Sequence, residues 1–385
     1  MRIALLNYDY LALPTAMQLL TRFAPLQWQA EGLHQAGAGA VHVFQRFHTA
    51  QDFTHNGVAY HFWADGLPNE LRLAHRPSTL HRAVGQLQPD VVHAHGLVFP
   101  LQAAALRRSL PAHTALVLQQ HSELPGHPVK RVLQRLCFRG VDAFLFPTAG
   151  MAVAWQRARI VSTQPTHILQ ETSRLIQPAD KAAARAITHM TGDPALLWMA
   201  RLVPAKDPLT VLSGFEQVAS TMPEIKLYMG HGCNDPLLES VRERIARSAV
   251  LQRSVVLLGE VARADLDAYD QSADYFVSGS TRYGGIIALL EAMGCGAAPI
   301  VTDTEAFRSM TDDGRLGRLW KVGDANAFAH ALGDAIRDEL HVRQRTDILS
   351  HFQEHLSLPV LSQRSLQLYA QAVSARQQHR GGHGR

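Results

Sequence analysis

The sequence predicts an α/β protein built from two doubly wound parallel sheets in tandem. Short runs of β-branched and other apolar residues alternate with amphipathic stretches along the whole chain. The runs are almost continuously apolar, which is typical of strands covered by helices on both faces. The alternation pauses around residues 175–190 and then starts again. With 385 residues, of which 46% are hydrophobic and 18% charged, the chain can form two domains that each have a core.

In the first half, six apolar runs are predicted to be strands. They are "RIALLN" (2–7), "AVHVFQ" (40–45), "VAYHFW" (58–63), "DVVHAH" (90–95), "TALVLQQ" (114–120) and "DAFLFP" (142–147). Helical patterns separate them, for example "LQWQAEGLHQAG" and "PLQAAALRRSL" at 100–110.

The second half repeats this architecture, and residues 324–376 are mostly helical in pattern. Its predicted strands are "ALLWMA" (195–200), "IKLYMG" (225–230), "SVVLLG" (254–259), "DYFVSG" (274–279) and "AAPIVTD" (297–303). We therefore predict four segments: an N-terminal domain over 1–180, a C-terminal domain over 181–357, a helix over 358–376 and a disordered tail over 377–385.

Charge and cysteine usage exclude several classes of protein. The net charge is only +4, and aromatic residues are not interleaved with basic ones, so we expect no nucleic-acid partner. Cys137, Cys233 and Cys295 form neither a disulfide framework nor a CxxC metal site, which favours a reducing cytoplasm. We find no signal-peptide pattern and no apolar stretch of membrane-spanning length.

In open parallel sheets, ligands bind beyond the carboxyl ends of the strands, so residues just after strands are the candidates for chemistry. In "LLWMARLVPAKDP", Arg201 follows a predicted strand and Lys206 precedes the next helix. A guanidinium and an ammonium together suit a diphosphate. A solvated strand-to-helix loop has the same composition, so the pattern alone leaves both interpretations open.

A second strand end is "STRYGGIIALLEAMGCG", where Gly284 and Gly285 precede an apolar helix. Free backbone amides and the positive end of a helix dipole favour an anion there. Glu291 lies inside this helix, and an ionised carboxylate in such apolar surroundings needs a partner. A plain strand-to-helix turn would also use two glycines.

Other strand ends are less specific. The turn "GHGCNDP" (230–236) is interpreted as structural rather than as part of a nucleotide pocket. His93 and His95 have no third ligand at a useful spacing, so a zinc site is disfavoured. His121 follows a predicted strand and is the better candidate in the first half.

The helix predicted over 127–140, "HPVKRVLQRLCFRG", is basic and amphipathic. Such a helix fits the surface of an anionic membrane. A solvated helix with an inward apolar face is the alternative.

Taken together, these segments resemble the GT-B retaining glycosyltransferases of the family 4 type, which glycogen synthase and sucrose synthase typify. "QPDVVHAHG" resembles the fourth-strand signature of that family, and "LLWMARLVPAKDPLTVLSGFEQV" its Arg-x4-Lys phosphate segment. The stretch "VVLLGEVARADLDAYDQSADYFVSGSTRYGGIIALLEAMGCGAAPIVTD" resembles its donor-nucleotide region. The resemblance implies two Rossmann-like domains that face each other across a cleft, with a C-terminal helix that crosses back.

The resemblance also implies roles for residues. Arg201 and Lys206 would hold the diphosphate of a nucleotide-sugar donor, Glu291 would bind the ribose, and His121 would lie near the donor sugar and act in catalysis. The remaining donor-binding positions would be Tyr283, Gly284, Gly285, Ile286 and Ile287. No metal and no cofactor are implied, because cationic side chains and a helix dipole replace Mg²⁺.

Two departures from the family pattern bear on activity. Tyr283 stands where the family has the first glutamate of a Glu-x7-Glu pair, which contacts the donor sugar. The loop after the first strand, "NYDYLALP", lacks the glycines that are usual there.

We therefore expect a retaining hexosyltransferase-type enzyme that moves a sugar from a nucleotide diphosphate to the hydroxyl of a glycan or lipid-linked glycan. We expect it in the cytoplasm, with peripheral membrane contact through helix 127–140. A catalytically silent nucleotide-sugar-binding subunit is the alternative. A dinucleotide-dependent oxidoreductase is disfavoured, because no GxGxxG follows the first strand.

Overall fold

The computed structural model describes residues 1–121, 124–282 and 284–381, and it divides into two compact units. Unit 1 comprises Met1–Thr172 together with the segment from Leu358 onward, and unit 2 is Ser173–Ser357. The division after Thr172 precedes the predicted boundary at 180 because the connecting segment bonds to unit 2. Gln271 donates to the Gln177 carbonyl and accepts from the Ala179 amide, each at 2.9 Å.

Unit 1 contains one eight-stranded sheet in the order β3-β4-β2-β1-β5-β6-β7-β8. All neighbouring strands are parallel except β3 and β4. The strands are β1 (Arg2–Asn7), β2 (Ala40–Arg46), β3 (Gln51–His55), β4 (Val58–Trp63), β5 (Val91–His95), β6 (Ala115–Gln119), β7 (Ala143–Phe146) and β8 (Thr166–Ile168). The six predicted strands are confirmed, and β3 and β8 are additional.

Unit 2 contains a six-stranded, fully parallel sheet in the order β11-β10-β9-β12-β13-β14. Its strands are β9 (Ala195–Met199), β10 (Lys226–Gly230), β11 (Val255–Gly259), β12 (Tyr275–Ser278), β13 (Ala298–Thr302) and β14 (Arg318–Trp320). The five predicted strands are confirmed. Every residue of β12 and β13 is buried, as their continuous apolar sequences require.

Helices follow most strands and make both units doubly wound. In unit 1 they are α1 (Ala16–Arg22), α2 (Ala24–Gln35), α3 (Ser78–Gln86), α4 (Pro100–Ser109), α5 (Pro128–Cys137) and α6 (Ala149–Arg157). In unit 2 they are α7 (Lys181–Thr188), α8 (Pro208–Ala219), α9 (Leu238–Ala246), α10 (Ala249–Ser254), α11 (Leu266–Ser272), α12 (Ile286–Gly294), α13 (Glu305–Met310), α14 (Ala325–Arg337), α15 (Leu340–Arg343) and α16 (Arg345–His351).

The last helix, α17 (Leu358–Gly381), returns to unit 1, as predicted for a helix that crosses back. Leu361 and Tyr369 are fully buried in the core of unit 1. The predicted helix end at 376 and the disordered tail from 377 are wrong for residues 377–381, which continue the helix. Gln and Arg have good helix propensity, so a polar composition alone does not end a helix. Residues 382–385 lie outside the described range.

Unit 1 also contains a buried ion pair at the carboxyl end of its sheet. Arg46, the last residue of β2, pairs with Asp65 at 2.6 Å, and the two side chains are 2% and 4% exposed. The Arg46 guanidinium also donates to the carbonyls of Tyr8, Leu67, Pro68 and Asn69. One side chain therefore fastens the loop after β1 to the loop after β4.

Candidate active site

In unit 2, the loops after β9 and β12 pack against each other. The two strands are neighbours, with Tyr275 paired to Leu196 and Phe276 to Leu197. The Thr281 amide donates to the Ala205 carbonyl at 2.9 Å. A Cβ on Gly279 would lie 2.8 Å from the Lys206 carbonyl oxygen, so only glycine fits there. This packing brings the predicted phosphate loop to the start of α12.

Lys206 lies at the N-terminus of α12. Its Nζ donates to Ser280 Oγ at 3.1 Å, and it lies 3.0 Å and 3.2 Å from where a Cβ on Gly284 or Gly285 would be. Both glycines have positive φ angles, 155° and 80°, which lets the backbone turn into the helix beside the ammonium. Burial lowers the pKa of Lys206. The ammonium and the first amides of the helix, at Ile286 and Ile287, form a place suited to an anion.

Arg201 follows β9 and is held by Asp235. Arg201 Nε donates to Asp235 Oδ1 at 2.9 Å, while the Arg201 side chain remains 66% exposed. The other carboxylate oxygen of Asp235 accepts the backbone amides of Leu202 at 2.7 Å and Gly232 at 2.9 Å. Burial of Asp235 opposes its ionisation, but these bonds outweigh burial and lower the pKa of the carboxyl. The turn over 230–236 is therefore structural, and it also orients the guanidinium, which sequence reasoning missed.

Glu291 lies on α12 and is 5% exposed. Its Oε1 accepts from Arg174 Nε at 3.0 Å, and Arg174 Nη2 donates to Asp270 at 2.8 Å. Burial raises the pKa of Glu291, although Arg174 and Arg263 act in the opposite direction. The partner that the sequence required for this carboxylate is thus Arg174, which sequence reasoning did not identify.

His121 belongs to unit 1 and lies just beyond β6. Its Nδ1 is 2.7 Å from a Glu171 carboxylate oxygen, and its Nε2 is 2.9 Å from His95 Nδ1. His93 Nδ1 bonds to the Tyr369 hydroxyl at 2.6 Å. Burial lowers the pKa of both His93 and His95, so these rings are neutral at pH 7. His121 is thus hydrogen-bonded through both ring nitrogens, to Glu171 and to His95, and the His93 ring stacks on the His95 ring with their centroids 4.6 Å apart.

Helix α5 carries apolar side chains on its exposed face. Val129, Val132 and Leu136 are 72%, 51% and 51% exposed, and Leu124 before the helix is 68% exposed. The basic residues of the same stretch are Lys130, Arg131, Arg135 and Arg139. Phe138 of the same stretch is buried, so part of its apolar surface faces inward, as expected for a solvated helix, and part is exposed, as expected for a helix on a membrane surface.

Two further observations concern predicted partners of the chain. No helix among the described residues combines the length and apolarity needed to span a bilayer. Within the same residues, no group of three or more His, Cys, Asp or Glu side chains is arranged to hold a metal ion. The predicted contribution of Tyr283 lies outside the described residues.

Comparison with known proteins agrees with this architecture. Residues 180–348 match the family model of glycosyl transferases group 1, and residues 25–170 match that of the glycosyl transferase 4-like domain. A phosphatidyl-myo-inositol mannosyltransferase of Mycolicibacterium smegmatis is 31% identical over 140 residues, which are 35% of this chain and 34% of the relative. The alpha-monoglucosyldiacylglycerol synthase of Streptococcus pneumoniae is 28% identical over 130 residues, 34% of this chain and 29% of that protein. The matched region thus spans about a third of these relatives.

Among solved structures, Anabaena HepE in complex with UDP and glucose has the same fold. The TM-score is 0.71 at 15% identity, with 96% of this chain and all of HepE covered. The two family matches follow each other along the chain in the same order as the two sheets. The chain belongs to the GT-B glycosyltransferases.

Proposed function

We propose that this protein transfers a sugar from a nucleotide diphosphate donor to a hydroxyl of a lipid or lipid-linked glycan, with retention of anomeric configuration. The observation that carries the proposal is the Lys206 ammonium beside Ser280 at the N-terminus of α12. Arg201 adds a second cation from the same loop. The crystallised complex of HepE with UDP and glucose supports a nucleotide-sugar donor.

The chemistry would consist of breaking the bond between the anomeric carbon and the diphosphate while the acceptor oxygen bonds to that carbon. The diphosphate gains negative charge as it leaves, so preorganised cations favour the transition state more than the ground state. Arg201, Lys206 and the amides at Ile286 and Ile287 would serve this purpose without a metal ion. Glu291 would accept hydrogen bonds from the ribose. The part played by His121 near the donor sugar remains a prediction.

Helix α5 supports the choice of a membrane-bound acceptor. Exposed Val129, Val132 and Leu136, together with four basic side chains, have the composition of a helix that lies in the interface of an anionic bilayer. The names of the mannosyltransferase and the glucosyldiacylglycerol synthase relatives both denote enzymes with lipid substrates. The protein would then work at the cytoplasmic face of a membrane without spanning it.

The test begins with thermal shifts in the presence of UDP, GDP, ADP and their sugars, because a ligand that binds the native state raises the melting temperature. We expect one nucleotide family to stabilise the wild type and to have a reduced effect on Lys206→Met. The stabilising nucleotide sugar is then incubated with vesicles that contain anionic and glycosyl lipids, and the anomeric configuration of the product is read by NMR. Nucleotide binding with neither donor hydrolysis nor transfer would instead identify a silent binding subunit.

A further inference from the structure

Arg174 lies in the segment that connects β8 to α7, and it joins three carboxylates of unit 2. Its Nε contacts Glu291 on α12 at 3.0 Å, and its Nη2 contacts Asp270 on α11 at 2.8 Å. Its Nη1 pairs with Asp267, also on α11. Arg174 is itself only 12% exposed. The guanidinium therefore bridges two helices from a segment that is neither helix nor strand.

The charges around Arg174 explain why the bridge is needed. Asp270 and Glu291 are 2% and 5% exposed, and burial of two carboxylates near each other disfavours ionisation of both. Burial and the charge of Glu291 raise the pKa of Asp270 well above its usual value. Arg174 lowers the pKa of both carboxyls. Without this guanidinium, the pKa of Glu291 would rise further, and the carboxylate would lose a hydrogen-bond partner that helps to fix its rotamer.

We propose that Arg174 is a positioning residue that orients the Glu291 carboxylate as the acceptor for the ribose hydroxyls of the donor. The inference rests on the proposed function and adds a residue to its nucleotide site. Nε binds Oε1 of Glu291, so the carboxylate plane is fixed before the nucleotide arrives. A preorganised acceptor avoids the ordering cost that a free glutamate would incur on binding.

The test compares a nucleoside diphosphate with its 2′,3′-dideoxy analogue, by calorimetry or competition. The probe is whichever of UDP, GDP and ADP binds the wild type most tightly. A hydrogen bond to a charged group contributes about 1.5–3 kcal/mol, so we expect the wild type to prefer the ribonucleotide by roughly tenfold or more. In Arg174→Gln this preference should fall to near unity, with dideoxynucleotide affinity almost unchanged. Arg174→Lys should restore part of the preference, because lysine keeps the positive charge but lacks the planar set of N–H donors that a guanidinium has.

Arg318→Gln is the matched control, since Arg318 also pairs with a carboxylate of unit 2, Asp338 at 2.7 Å, and is not part of the nucleotide site. It should keep the wild-type preference. If Arg174→Gln does not fold, the double variant Arg174→Gln/Asp270→Asn is used instead. Removing Arg174 leaves two buried carboxylates without their cation, and the second substitution neutralises one of them. The preference should be lost there as well.

Two results are decisive against the inference. An unchanged preference in both Arg174 variants, or an equal loss of affinity for both nucleotides, would show that the bridge only supports the fold. Failure of the wild type to bind any of the three nucleoside diphosphates would overturn the proposed function itself. The wild-type binding measurement, which comes first, shows whether this is the case.

Discussion

Asp235 holds Arg201 from one side while binding two backbone amides from the other. Its Oδ1 accepts Arg201 Nε at 2.9 Å, and its Oδ2 accepts the amides of Leu202 and Gly232. Two loops that are separate in the sequence are joined by one buried carboxylate. The direction of Arg201 is thus set by a residue 34 positions further along the chain.

Replacing Asp235 with Asn should misplace Arg201 more than it unfolds unit 2. An amide keeps the shape of the side chain but presents an N–H group either to the guanidinium or to the two backbone amides. We expect a loss of about 1–3 kcal/mol in the free energy of unfolding. We also expect turnover to fall by roughly tenfold or more, with a smaller change in donor KM. Steady-state kinetics beside Arg201→Ala measures this, and a full wild-type kcat in Asp235→Asn would contradict it.

Nucleotide binding should weaken as the pH rises through the pKa of Lys206. Burial lowers this pKa below its usual value, so the folded protein releases the proton at a lower pH than the unfolded chain does. A bound diphosphate favours the ammonium, so binding takes up a proton in that range. Calorimetry between neutral and alkaline pH should show affinity falling in the wild type. Lys206→Arg, which stays charged, should show a flatter profile, and identical profiles would exclude Lys206 from the phosphate site.

Introducing negative charge on the exposed face of α5 should weaken binding of the protein to anionic membranes. Val132→Asp/Leu136→Asp places two carboxylates where apolar side chains are 51% exposed, so the fold should be unaffected. Sedimentation with anionic vesicles should drop by an order of magnitude or more, and salt should weaken wild-type binding. Val342→Asp is the control, since Val342 is 64% exposed in unit 2. Equal sedimentation of the three proteins would rule out α5 as the contact.

Breaking the Arg46–Asp65 pair should destabilise unit 1 strongly. Arg46→Met leaves Asp65 buried without its partner, at a cost of about 3–5 kcal/mol. The double variant Arg46→Met/Asp65→Leu removes both charges and should recover much of that loss. Chemical denaturation of the three proteins gives the comparison. A double variant no more stable than Arg46→Met would mean that the carbonyl bonds, rather than the charges, hold the loops.

EDTA should leave sugar transfer nearly unchanged. In the proposed reaction, Arg201, Lys206 and the N-terminus of α12 would supply the positive charge that Mg²⁺ supplies in other transferases. The rate is measured after chelation and again after Mg²⁺ or Mn²⁺ is added back. An absolute requirement for either ion would show that a bound metal, and not these cationic groups, compensates the charge of the leaving diphosphate.

The strands were predictable because burial on both faces demands continuous apolar runs, and those runs are visible in the sequence. Strand β3, "QDFTH", was missed because it is an edge strand with mostly exposed side chains. The proximity of Lys206 to the two glycines could be predicted, because each lies in a loop that follows a strand of the same parallel sheet. The role of Arg174 could not be predicted from the sequence, because its hydrogen bond to Glu291 spans 117 positions and depends on the path of the connecting segment. The contact of Asp235 with Arg201 could not be predicted either, because Asp235 lies in a segment with the ordinary composition of a turn.

The return of α17 to unit 1 sets the order in which the two units can be completed during synthesis. Tyr369 bonds to His93 across 276 positions, and both side chains are buried. The ribosome therefore finishes all of unit 2 before it releases the helix that closes the core of unit 1. Unit 2 is contiguous in the sequence and can fold as it emerges from the ribosome. The first 172 residues cannot complete their core until α17 is synthesised, so part of their apolar surface stays exposed until then. Chaperones that act on the nascent chain would thus find their binding surface in the N-terminal part of the chain.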